Sequence, residues 1–116
     1  MSRREADRSG RRAESLAALY LRLKGWRIVA RRRQLPMIEI DIIARRGQIL
    51  AIVEVKHRRT LDQATAALTP AAAKRLRAAA HQLAAEQAAT GKPLSARVDL
   101  IALAPGHFPR HIPDIA

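Results

Sequence analysis

The chain contains no cysteine, and only Tyr20, Trp26 and Phe108 among its 116 residues are aromatic. Without thiols there is neither a disulfide framework nor a thiolate zinc site, so a reducing, cytoplasmic setting is the simplest expectation. Three aromatics are too few for the stacking platforms that sequence-tolerant single-strand binders use. No uninterrupted apolar run approaches the ~20 residues a membrane-spanning helix needs, and Arg3-Arg4 is not followed by an apolar signal segment. No membrane association is therefore expected.

Acidic residues are also scarce. Ten Asp and Glu stand against twenty-two Lys and Arg, a formal charge of +12 at pH 7. The positive charge gathers at Arg3, Arg4, Arg8, Arg11 and Arg12, at residues 31–33, and at residues 57–59. Such a field attracts polyanions, with nucleic acid the leading partner class and anionic membrane surfaces the second. The plainer alternative is an Arg-rich, solvated surface. Residues 1–12 read as a basic N-terminal arm that can be disordered, and residues 13–116 as one domain.

Within that domain Leu16, Leu19, Tyr20 and Leu23 recur at helical spacing, and Gly25 suits the helix C-terminus. Trp26, Ile28 and Ala30 start an alternating strand. After Pro36, Ile38-Glu39-Ile40-Asp41-Ile42-Ile43 and then residues 49–56 form two β-branched runs around Gly47, a hairpin. Thr69-Pro70 and Gly91 with Pro93 bound a helix over residues 70–90. Its Leu76, Ala79, Ala80 and Leu83 make an apolar stripe, while Lys74, Arg77 and His81 share the other side. Residues 97–103 form the last strand, and the proline-containing tail reads as irregular. The expected fold is α/β, order α-β-β-β-α-β, a central mixed sheet flanked by helices.

Because carboxylates are few, those set into Ile/Val-rich segments stand out: Glu39 and Asp41 on one run, Glu54 and Lys56 on the next. Each pair shares a strand face, since side chains alternate. A two-residue Gly47-Gln48 turn sets Asp41 opposite Glu54 and Glu39 opposite Lys56. A turn centred on Arg46-Gly47 slides the pairing by two and keeps all four on one face, and a three-residue loop separates them. In the favourable registers Asp41 and Glu54 can share Mg²⁺ or Mn²⁺, with the Lys56 ammonium beside them to stabilise charge developing on a phosphate. Glu39 can serve as an accessory ligand or pair with Lys56. Glu14 lies on a helix face with Ala17, Ala18 and Leu21, where a carboxylate needs a partner. The alternative is a polar strand face with ordinary Glu–Lys pairs and a helix N-terminal glutamate. His57, His81, His107 and His111 lack metal-ligand company and read as structural or surface residues.

Taken in order, Gly10-Arg11-Arg12-Ala13-Glu14 with Ala17, Leu21 and Gly25, then Glu39-Ile40-Asp41, then Glu54-Val55-Lys56-His57-Arg58, then Lys74 and Arg97-Val98-Asp99, resemble the successive motifs of the bacterial YraN family. The resemblance runs from about residue 10 to residue 103. It implies a restriction-endonuclease-like fold, distantly similar to archaeal Holliday junction resolvases, and a PD-(D/E)XK site in which Glu14, Asp41, Glu54 and Lys56 are catalytic, with Asp41, Glu54 and Glu14 as ligands to Mg²⁺ or Mn²⁺. The implied activity is metal-dependent DNA endonuclease action on branched or structured DNA. The alternative is a nuclease-fold adaptor that binds nucleic acid without turnover. Arg11, Arg12, Arg58, Arg59, Lys74 and Arg77 are the candidate DNA contacts, and a homodimer is left open. Two positions depart from the family pattern: Ile38 replaces the usual Gly before Glu39, and Arg32 stands where Asn is common. A Cβ at position 38 disfavours a positive φ there.

Overall fold

The computed structural model describes residues 3–89 and 91–115, and side chains from residue 10 onward. The elements are α1 (Arg3–Leu23), β1 (Arg27–Leu35), β2 (Ile38–Arg46), β3 (Ile49–His57), α2 (Leu61–Thr65), α3 (Pro70–Ala88), β4 (Ser95–Leu103) and β5 (Arg110–Ile112). The basic segment read as an arm is helical from Arg3 onward, continuous with the rest of α1. Its first two residues lie outside those described.

The five strands form one mixed sheet in the order β1-β2-β3-β4-β5. The first three are an antiparallel meander, β4 runs parallel to β3, and β5 returns antiparallel to β4. A parallel neighbour requires a crossover, and the segment carrying α2 and α3 supplies it. Residues Ala13, Ala17, Ala18 and Leu21 of α1 pack with Trp26, Ile42, Ala44, Ala51, Val53 and Ile101. Leu76, Ala79, Ala80 and Leu83 of α3 pack with Ile40, Ile43, Leu50, Ile52 and Val98. The sheet is thus covered by helices on both faces, which explains the near-continuous apolar runs of β2 and β3.

Local chemistry accounts for the boundaries. Gly25, at φ 91°, closes α1 with the Trp26 N–H on the Leu21 carbonyl and the Gly25 N–H on that of Arg22, both at 3.0 Å. This is the paired Schellman arrangement at a helix C-terminus. Thr69 caps α3 by accepting the Ala72 N–H, with Pro70 in the first turn. Gly47, at φ 60°, is the first of two residues between Arg46 and Ile49, which pair across the hairpin. That is the Gly-first turn.

The structure decides one choice the sequence left open and adds two elements to the expected order. Of the two apolar sides of α1, that of Leu16, Leu19 and Leu23 faces outward, 57%, 51% and 79% exposed, and the alanine-rich face carrying Glu14 is the buried one. Small side chains let the helix backbone lie close to the sheet, and the leucines on the other side are left without a partner. Thr60 caps a short helix, α2, that periodicity over five residues does not reveal. The tail read as irregular contains β5, set between Pro109 and Pro113 at the sheet edge, where proline is tolerated.

Candidate functional site

The β2–β3 ladder is regular from the Arg46–Ile49 pair to the Ile42–Val53 pair, the register set by the two-residue turn. One step further, where Asp41 would face Glu54, a side chain takes over. The Asp41 carboxylate accepts the Val55 N–H at 2.8 Å, a bond from its Oδ2 to the main chain of the neighbouring strand. Beyond this point the outer half of β2 is paired with β1 alone, Gln34 to Glu39 and Leu35 to Ile38.

Asp41, Glu54 and Lys56 are brought together here, all partly buried. Lys56 Nζ lies 3.3 Å from Glu54 Oε1. Burial, and then the charge of Glu54, push Asp41 up to about 7 against the lowering effect of the Val55 N–H. Burial also raises Glu54, while Lys56 and a hydrogen bond with the Asp41 carboxyl pull it back. The two carboxyl groups therefore share a site in which full ionisation of both is costly.

Glu14 approaches from α1, and its charge is felt by both Asp41 and Glu54. It does not turn its own carboxylate to them. Arg32 Nε donates to Glu14 Oε1 at 2.8 Å. Next to it, Arg31 donates to the Ser15 hydroxyl at 3.2 Å, a second tie from β1 to the same turn of α1. Among the described residues no three His, Asp or Glu side chains already converge as a metal cage.

The other sequence candidates are more dispersed. Glu39 is exposed opposite Gln34, and Lys56 pairs with Glu54. Arg11 and Arg12 line a shallow groove along α1 with Ser15, Leu16 and Leu19. Arg58 and Arg59 are exposed just after β3, the strand that bears Glu54 and Lys56, and Arg58 bonds the His57 carbonyl. Lys74 and Arg77 are exposed on α3. Ile38 needs no unusual backbone: its φ is not positive, and its side chain packs against the α3-side core.

Arg32 is the residue whose part sequence reading missed. It is one of two described non-glycine residues with a positive φ, 52°, and the ladder skips it between the Arg31–Ile42 and Arg33–Ile40 pairs, which places it across from Asp41. The signal available beforehand was that Arg32 stands where Asn is common, since Asn is a residue that tolerates a left-handed backbone.

A separate polar cluster explains one histidine. Asp99 is fully buried on β4 and receives Arg97 through two bonds of 2.9 and 3.1 Å, His111 Nε2 at 2.8 Å and the Asp114 N–H at 3.0 Å. Lys24 Nζ is 2.7 Å from His111 Nδ1. Lysine can only donate, so Nδ1 accepts and Nε2 carries the proton given to Asp99. Burial alone would raise Asp99, but the bonds from His111, the Asp114 N–H and Arg97 hold it below the usual carboxylate range.

The donor set at Asp41 and Glu54 fits a hard divalent cation. It is all oxygen, two carboxylates confined together with surplus proton affinity, and Glu14 is within electrostatic reach as a third. A dication relieves the repulsion that otherwise retains a proton.

Residues 13–103 match the model of Uncharacterised protein family UPF0102. The chain is similar to the UPF0102 protein of Caulobacter vibrioides strain NA1000 / CB15N, 51% identical over 109 residues covering 94% of this chain and 86% of that protein. Its similarity to the UPF0102 protein of Erythrobacter litoralis is 47% identity over 112 residues, covering 97% and 95%. That to the UPF0102 protein of Parvibaculum lavamentivorans is 49% over 110 residues, covering 94% and 81%.

Proposed function

The chain belongs to the UPF0102 family, the YraN family that its motifs resemble, and from this premise we propose that it is a metal-dependent DNA endonuclease acting on branched or structured DNA. The observation that carries the reading is the meeting of Asp41, Glu54 and Lys56 where β2 and β3 part, with both carboxyls raised and an ammonium 3.3 Å from one of them. Phosphodiester hydrolysis needs charge neutralised on a phosphate oxygen and a water made nucleophilic. Asp41 and Glu54 would hold Mg²⁺ or Mn²⁺, with Glu14 as the further carboxylate, and the cation would supply both effects.

The remaining work falls to the chain's own groups. Lys56 projects its ammonium from the same strand face as Glu54, placed to orient a water or to stabilise negative charge on the pentacoordinate phosphorus. The Val55 N–H fixes the Asp41 carboxylate, so that one ligand is preorganised by the main chain. Arg58 and Arg59, two and three residues beyond Lys56, supply phosphate contacts near the reacting group, and Arg11, Arg12, Lys74 and Arg77 extend the basic surface. A cysteine-free chain of this kind is at home in the cytoplasm.

The test is an assay with Mg²⁺ and with Mn²⁺ over duplex, flap, four-way-junction and single-stranded DNA. Cleavage should be metal-dependent, and Glu54→Ala and Lys56→Ala should each lower it by at least a hundredfold while leaving DNA affinity within about threefold, because binding is spread over many basic residues. Activity that persists in both variants, purified alongside the parent, would refute the assignment. Tight binding with no cleavage on any substrate would instead make the chain a nucleic-acid adaptor.

A further inference from the structure

We propose that Arg32 is a resident counter-cation of the carboxylate cluster, a positioning residue that holds Glu14 and must release it when a divalent ion binds. The inference rests on the nuclease reading above and adds to it a residue that competes with the metal.

Two independent features single out Arg32. The first is its backbone. A residue in the middle of a strand sits at φ 52°, a conformation that L side chains rarely adopt and that only the surrounding structure can sustain. The ladder is interrupted at this residue and resumes on either side of it, so the reversal re-aims one side chain without ending the strand. The second is the destination of that side chain. The guanidinium donates to Glu14 at 2.8 Å, and Glu39 and Asp41 act on it as well, so three carboxylates on two elements converge electrostatically on one arginine.

An ordinary surface ion pair contributes little and needs no special backbone. Here a strained position is retained for a contact with the one carboxylate that α1 contributes to the cluster. Glu14 is only 15% exposed, so a lost partner is not simply replaced by bulk water. In the metal-free protein Arg32 gives Glu14 its counter-charge, and this is why Asp41 and Glu54 stand without a third converging ligand. A divalent ion that recruits Glu14 has to displace the guanidinium. The Arg32 side chain is 36% exposed and has room to leave.

The prediction concerns metal affinity rather than turnover. Mn²⁺ binding is measured by calorimetry on the parent, Arg32→Asn, Arg32→Lys, Glu14→Gln and the Arg32→Asn/Glu14→Gln double variant. Asparagine tolerates a left-handed backbone, so Arg32→Asn removes the charge and keeps the local conformation. It should bind Mn²⁺ about five- to tenfold more tightly than the parent. Arg32→Lys, which keeps the charge, should remain within about twofold of the parent. In the Glu14→Gln background, Arg32→Asn should change affinity by less than twofold, because the group it competes for is gone. Parent-like affinity in Arg32→Asn, equal tightening in the Asn and Lys variants, or an undiminished effect in the Glu14→Gln background would each overturn the proposal while leaving the metal site standing. If neither the parent nor Arg32→Asn binds Mn²⁺, the nuclease reading falls and this inference falls with it.

Discussion

Asp41, partly buried on β2, and Asp99, fully buried on β4, belong to one sheet, and their proton affinities move in opposite directions. Burial raises both, so the difference lies in their neighbours. Asp99 has a guanidinium, an imidazole N–H and a main-chain N–H, whereas Asp41 has one N–H and a second carboxylate. Asp99 is a structural anion, whereas Asp41 is a carboxyl whose neighbours leave its charge undercompensated. The sign of each contribution to stability follows. Asp41 titrates at about 7 in the fold against 3.8 ordinarily, so its protonated form favours folding at pH 4 and that contribution is lost as pH rises through about 7. Asp99 does the reverse, contributing above its ordinary value and losing that contribution only as pH falls through its lowered one. Without divalent ions, Asp41→Asn should therefore be more stable than the parent at pH 8, by up to about 4 kcal/mol at ~1.4 kcal/mol per pH unit between 3.8 and about 7, and the gap should close towards pH 4. Asn can still accept the Val55 N–H. Asp99→Asn should instead be destabilised at pH 8 by about 3 kcal/mol, since it leaves the Arg97 guanidinium without its anion. Urea unfolding across pH reads both, and an Asp41→Asn variant less stable than the parent at pH 8 would make Asp41 a structural carboxylate.

At the scale of the element, α1 shows where sequence pattern and packing part company. Its leucines at positions 16, 19 and 23 make the more hydrophobic of two helically spaced apolar faces, yet the buried face is Ala13, Ala17, Ala18 and Leu21. Hydrophobicity ranks leucine above alanine, but a helix laid closely on a sheet needs small residues against it. Leu21→Ala should cost about 2–5 kcal/mol, whereas Leu19→Gln should change stability by no more than about 0.5 kcal/mol. Comparable losses in thermal melts of the two variants would reverse this assignment of faces. Elsewhere the sequence was legible wherever local chemistry dictated the outcome. Gly25, Thr69-Pro70 and the Gly47-Gln48 turn each acted as their residue types require, and the turn brought Asp41 to Glu54 as its register implied. Helix α2 went unread although Thr60 and Gln63 have the spacing of a capping box, because five residues are too few for periodicity to register. The β5 strand was hidden by flanking prolines, and the Arg32–Glu14 contact by a backbone reversal that arginine does not advertise.

Taken whole, the molecule is a two-sided α/β layer with a net excess of twelve positive charges, which pairing between its basic and acidic side chains leaves unchanged. No described helix is long and apolar enough to cross a membrane. The exposed basic residues come from several separate elements, so no one substitution should abolish nucleic-acid association. Binding to a four-way-junction DNA should fall linearly in a log–log plot against salt, with a slope set by several neutralised phosphates. A flat response across 50–300 mM KCl would remove nucleic acid as the principal partner. The Asp99 cluster bears on a different matter, the order in which the chain becomes available to itself. Arg97 leaves the ribosome before Asp99, but His111 and the Asp114 N–H follow it by twelve and fifteen residues. A chain synthesised vectorially therefore exposes β4 with an anion that two of its three donors have yet to join. Until they emerge, closing the sheet over Asp99 would bury an undercompensated charge. Stable closure of β4 against its neighbours therefore waits on the segment that carries β5, which brings two of the three donors to Asp99.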